Sequence, residues 1–194
     1  MMSDSVPTMS SISSPEIGAP IARPTVAFLL SHPAHFIALG CGSGLSRLGP
    51  GTVGTLWAWV AFLVMQRWLS SSIIGWVILA SLPIGMWACT VTARDMRVAD
   101  PGSIVWDEVI AFWIVLWLVT PAGLLAQVVA FALFRYFDAA KPGPVRWADA
   151  LFKQRDAAPG QVRWNAAGFG IIFDDLVAAF CTLLVIAAWR FAFG

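Results

Sequence analysis

The stretch LWAWVAFLVMQRWLSSSIIGWVILASLPIGMWACTVT, residues 56–92, carries one charge, Arg67, along its whole length. Two apolar runs, 56–69 and 73–92, are parted only by Ser70, Ser71 and Ser72. Runs of that length call for a solvent that accepts them on every side, and so short a polar turn sends the chain back the way it came. The stretch predicts an antiparallel helical hairpin that crosses a bilayer and returns. A second hairpin is expected from 109–119 and 122–137, turning at Thr120, Pro121, Ala122 and Gly123. Its short arms would reach into the headgroup region with their polar ends. A last apolar helix is expected to open at Gly168 and end near Phe193.

The rest of the composition agrees. Of 194 residues 59% are hydrophobic and 12% charged, with a mean hydropathy of +0.77, outside the range of an ordinary soluble domain. The expected fold class is all-α, a multi-pass membrane helical bundle with a polar site on one membrane face. Residues 25–194 form its single domain. Residues 1–24, rich in Ser, Pro, Thr and Gly, read as a disordered tail that cannot bury enough apolar surface to offset its entropy, and no secretory signal pattern is expected there. A net charge of +1 gives no field to gather nucleic acid. Cys41, Cys89 and Cys181 are too few and too far apart for a disulfide framework or a metal finger.

Charge is concentrated. Seventeen of the 23 charged residues fall within 94–108, 135–163 and the pair Asp174 and Asp175. If each hairpin crosses and returns, those segments and the glycine-rich stretch 40–55 emerge on one side, while the turns near Ser71 and Pro121 stay almost bare. The surplus of basic residues on the polar side places it in the cytoplasm. Trp57, Trp68, Trp106 and Trp189 lie near helix ends, as interfacial belts or core packing would both have them.

Asp107 with Glu108, Asp138, and Asp174 with Asp175 are expected at the beginnings or ends of apolar helices, where charge is costly without a partner. One acid alone could mark the water boundary or pair with Arg135 or Lys141. Adjacent acids repel, and carboxylates converging from three helices suit a hard divalent cation. Arg135 and Asp138 lie one helical turn apart, with Lys141 just beyond, so a phosphate beside a metal is a plausible occupant. The stretch 40–55 alternates Gly with Ser and Thr, includes Ser43, Thr52 and Thr55, and is expected to be a loop, since so many glycines disfavour a regular helix. Such loops aim amides and hydroxyls at phosphate, though a plain tight loop reads as well. Cys41, Gly44 and Arg47 also match the spacing of cysteine-dependent phosphatases, but His is missing before Cys41 and Ser or Thr after Arg47. His32 and His35, split by Pro33 in a short helix candidate over 26–39, show no acid or hydroxyl partner by spacing and read as packing residues.

Four motifs in order, Pro50-Gly-Thr-x-Gly-Thr55, Gly102-Ser-Ile-Val-Trp-Asp-Glu108, Arg135-x2-Asp138-x2-Lys-Pro142-x-Pro144 and Gly168-x5-Asp-Asp175, resemble the phosphatidylglycerophosphatase A family over roughly 36–193. The resemblance implies a bacterial inner-membrane, Mg²⁺-dependent lipid phosphomonoesterase acting on phosphatidylglycerophosphate in the bilayer. It further implies that Asp100, Asp107, Glu108, Asp138, Asp174 and Asp175 fill the acidic positions, and Arg135 and Lys141 the basic ones. On that reading Asp107, Glu108, Asp138, Asp174 and Asp175 hold metal and do chemistry. Arg135, Lys141, Ser43, Thr52, Thr55 and Asp100 bind the phosphate. Partners are membrane lipids and no nucleic acid, with a possible homodimer left open. Rival readings are a small transporter or scaffold, whose acids would lie in mid-helix along a path, and a thiolate phosphatase using Cys41 and Arg47. The CDP-alcohol phosphotransferases are a further rival, but their Asp-Gly-x2-Ala-Arg spacing is absent.

Overall fold

The computed structural model describes residues 21, 23–152 and 162–193. Among them every regular element is helical: α1 (Val26–Ser31), α2 (Pro33–Ala38), α3 (Pro50–Trp68), α4 (Ser71–Met96), α5 (Trp106–Val119), α6 (Leu124–Ala140), α7 (Pro144–Phe152) and α8 (Trp164–Phe193), with a 3-10 segment at Gly40–Leu45. The all-helical expectation holds. Of the proposed tail only Ile21, Arg23 and Pro24 are described, and the Ile21 amide donates to the Met96 carbonyl at 2.9 Å. The rest of the tail, like 153–161, lies outside the described residues.

α5 is the axis of the bundle. Its length from Val109 to Val119 is apolar and mostly buried, with Val109, Ile110, Ala111, Phe112 and Val115 fully enclosed and Leu118 exposed near its end. α3, α4, α6 and α8 pack around it. These outer helices turn large apolar side chains away from the core: Val60 on α3, Trp76 on α4, Leu125 on α6 and Phe180 on α8 are all at least 60% exposed. A surface this apolar is at home in lipid, not in water. α4 and α8 are each long and apolar enough to cross a membrane. Trp68 and Trp189 sit on that outer surface, whereas Trp57 and Trp106 pack with Trp113 at 6.4 and 5.7 Å between ring centres.

Several boundaries differ from those expected. α3 starts at Pro50, not after Thr55, so Gly51 and Gly54 are helical. Pro50 supplies a preset first-turn conformation, and the two glycines are there for close packing: a Cβ on Gly54 would meet the Val105 side chain at 2.7 Å. The candidate over 26–39 is two short helices broken at His32, whose ring accepts from the Ala34 amide at the start of α2. α8 begins at Trp164 rather than Gly168. Asp174 and Asp175 are therefore deep inside a helix and not at its mouth.

Candidate active site

Four helices converge at one end of the bundle. α5 begins there, with Asp107 and Glu108 in its first turn, where unpaired backbone amides and the positive end of the helix dipole favour acids. Glu108 is buried. α8 brings Asp174 and Asp175, which are 2% and 3% exposed. Consecutive helical residues point about 100° apart, and here the two carboxylates go to different partners. Asp175 faces α5, and oxygens of Asp107, Glu108 and Asp175 all lie within 4.8 Å of one another. Asp174 faces Lys141, whose ammonium nitrogen is 2.6 Å from its Oδ2.

Cations reach the other acids as well. Arg135 on α6 hydrogen-bonds Asp138 one turn along through Nη1, and the same nitrogen stands 3.6 Å from Glu108 Oε1. Lys141 also bonds Asp149 of α7. Lys141 ends α6 at φ 46, a left-handed backbone that costs an ordinary residue on the order of 1–2 kcal/mol. The two carboxylates gripping its ammonium offset that cost.

The result is an imbalance. Among the described residues, the ion pairs of Glu108, Asp138, Asp149 and Asp174 at this end run to Arg135 and Lys141, with Asp107 and Asp175 beside them. Asp107 Oδ1, Glu108 Oε2 and Asp175 Oδ2 are buried with no hydrogen-bond partner. Buried carboxylates left this way need a proton or a cation between them. An octahedral Mg²⁺ takes oxygen ligands at about 2.0–2.1 Å, and three oxygens this close could close on one ion with small side-chain shifts. The donor set therefore fits a hard divalent cation.

The first turn of α3 closes over the site. A Cβ on Gly51 would lie 2.1 Å from Glu108 Oε1 and 3.2 Å from Arg135 Nη1, so any larger residue here would displace these two side chains. Neither Gly51 nor Asp149 was singled out from sequence. Asp149 had a signal: it lies four residues beyond Val145 on the face of α7 that buries Val145 and Ala148. Gly51 had none apart from its place inside the Pro50 motif.

Other expected residues sit elsewhere. Thr52 is exposed beside Gly51. Thr55 is fully buried and donates to the Gly51 carbonyl at 2.8 Å, and Ser43 donates to the Gly40 carbonyl at 2.8 Å, so both hydroxyls are engaged by nearby backbone. Asp100 is half-buried in the loop between α4 and α5, and among the described residues it is not one of the acids meeting at Asp175. His35 does have partners that spacing did not reveal: its Nε2 is 3.0 Å from Asp95 Oδ2 and its Nδ1 is 3.1 Å from Ser31 Oγ, joining α2 and α1 to the end of α4. Cys41 is exposed but shows no sign of an activated thiolate. What burial its thiol has pushes its pKa up, and Arg47 lines a separate cavity that Cys41 does not touch. The depth of Asp174 and Asp175 is what a transporter would show, yet the acids meet at one point and do not trace a path.

Comparisons with known proteins identify the family. The sequence pattern of the family described as Phosphatidylglycerophosphatase A matches residues 36–190, spanning all four helices that build the site. Phosphatidylglycerophosphatase A of Escherichia coli is 38% identical over 149 residues, 77% of this chain and 78% of that protein. The Haemophilus influenzae protein of the same name is 34% identical over 87% of this chain and 96% of its own length. A Bacteroides thetaiotaomicron protein, provisionally named a phosphatidylinositol-3-phosphatase, is 31% identical over 81% of this chain and 94% of its own. No solved structure matches significantly. With the family pattern matched over 36–190 and relatives aligned along most of the chain, this protein belongs to the phosphatidylglycerophosphatase A family of phosphatases.

Proposed function

We propose that the protein hydrolyses phosphatidylglycerophosphate to phosphatidylglycerol and phosphate, using Mg²⁺ held at Asp107, Glu108 and Asp175. The observation that carries this reading is the trio of buried, unpartnered carboxylate oxygens contributed by two helices. Once bound, the ion would supply Lewis-acid polarisation of a phosphate oxygen and a water of lowered pKa. Arg135 and Lys141 are placed to meet the remaining phosphate oxygens. Arg135 engages both its acids through Nη1 alone, which leaves Nε and Nη2 for ligand. Asp138, Asp149 and Asp174 hold these two cations in position. In the reaction a water oxygen bonds to phosphorus, the bond from phosphorus to the glycerol oxygen breaks, and that oxygen takes up a proton. The chain crosses the bacterial inner membrane several times in this reading, and the acidic end faces the cytoplasm, as the distribution of Lys and Arg suggests.

Phosphate release by the purified protein tests the proposal, with Mg²⁺ and with EDTA, on phosphatidylglycerophosphate, phosphatidic acid, lysophosphatidic acid and a phosphoinositide. Near-normal turnover by both Asp107→Asn and Asp175→Asn would remove the metal role. Preference for another lipid in the panel would reassign the substrate and leave the site intact.

A further inference from the structure

Outside the acidic site, a second polar cavity opens near the same end of the bundle. It has a volume of about 520 Å³ and is lined by Arg23, Val26, Ser46, Arg47, Pro50 and Ser103, among others. That volume is in the range of small-molecule sites. Both arginines are exposed, and among the described residues neither forms an ion pair, whereas Arg135 and Lys141 are each held by two acids. Their positions are fixed by the fold. Arg23 is held between the Ile21 amide bond to Met96 and the Thr25 hydroxyl that caps α1. Arg47 follows the 3-10 segment, in which Gly44 packs so tightly on the Ser103 carbonyl that a Cβ would come within 2.1 Å.

The rim is apolar and bare. Leu48, next to Arg47, is 86% exposed, and Val26, beside the same cavity, is 60% exposed. Two guanidinium groups at one cavity, without an ion partner among the described residues, suit an anion. The exposed Leu48 and Val26 beside them suit a ligand that carries hydrocarbon as well as an anion, which a free inorganic anion does not. The wall is shared with the acidic site: Pro50 lines this cavity, and Gly51, the next residue, touches Glu108 and Arg135.

We propose that this cavity binds the phosphodiester of an anionic glycerophospholipid, with Arg23 and Arg47 on the phosphate and Leu48 and Val26 against the acyl region. The lipid is either the substrate itself, whose diester lies one glycerol away from the phosphate being removed, or a second, non-reacting lipid. Binding is read without turnover, so the proposal stands or falls separately from the phosphatase reading.

The test uses the full chain in detergent micelles and native mass spectrometry with phosphatidylserine, which is neither substrate nor product of the proposed reaction, against phosphatidylcholine. The wild type is expected to retain phosphatidylserine selectively. Arg23→Gln/Arg47→Gln should weaken retention roughly tenfold or more, and Arg23→Lys/Arg47→Lys should restore part of it. Equal retention by wild type and the Gln double variant, or no preference over phosphatidylcholine, overturns the proposal. The source of the diester is decided by kcat/KM. A fall in the ratio for phosphatidylglycerophosphate over lysophosphatidic acid in the Gln double variant assigns the cavity to the substrate. An unaltered ratio with lost retention assigns it to a second lipid.

Discussion

Asp138 and Asp174 each sit against a cation, whereas Asp107, Glu108 and Asp175 crowd one another with, among the described residues, Arg135 at the margin. Both sets are buried at the same end of the same bundle, so burial alone does not separate them. The paired acids cost little more than an ordinary buried ion pair and lock α6, α7 and α8 together. The crowded trio is unfavourable as it stands, and a fold keeps such an arrangement where a ligand repays it. The difference separates a structural role from a chemical one among residues of identical type.

Substitutions can break or sharpen that division. The largest effect is expected from Asp175→Asn, with loss of phosphate release by roughly 10²–10³-fold or more, the scale of removing a key electrostatic group. Its thermal midpoint in EDTA should hold or rise, because one of three repelling carboxylates is gone; a large drop in the midpoint would put Asp175 among the structural acids. Lys141→Ala should do the reverse and destabilise by about 3–5 kcal/mol, since Asp174 is left buried without its ammonium. Adding Asp174→Asn to that variant should recover part of the loss in a denaturant or thermal titration.

Gly51→Ala should come next, costing about 1–3 kcal/mol as its methyl group pushes Glu108 and Arg135 apart. Mg²⁺ dependence should weaken in the same protein, visible as a higher metal concentration for half-maximal rate. Cys41→Ser should change least, within about 0.5 kcal/mol of wild type. Its pH–rate profile should overlay that of the parent, because a thiol pushed upward stays protonated near neutrality.

How much of this could be read from the residues depended on what each one contacts. The helices of residues 56–92 and 109–137 and the short turns joining them were legible because apolar runs and turn residues are local signals. So was the acidic end, because Asp107 with Glu108 and Asp174 with Asp175 are adjacent in the chain. The start of α3 was not, since Gly51 and Gly54 lower helix propensity and their reason for being helical lies in Val105 and Glu108, far along the sequence. The start of α8 was missed because Gly168 and Gly170 lower helix propensity, and their reason for being helical lies in close packing on Thr90 and Phe152. Division of the acids into two sets was equally hidden. It depends on which carboxylate the side chains of Arg135 and Lys141 reach, and Asp149 entered only when α7 folded back on Lys141.

α8 also works as a depth gauge. From Leu176 onward, residues 176–193 rise roughly 27 Å at the helical repeat, close to the thickness of a hydrocarbon core. If that length fills the oily layer, Asp175 lies level with the plane of the lipid phosphates, and the turns from Trp164 to Asp174 stand above it. A phospholipid would then need no lifting out of its leaflet for its head to meet the acids.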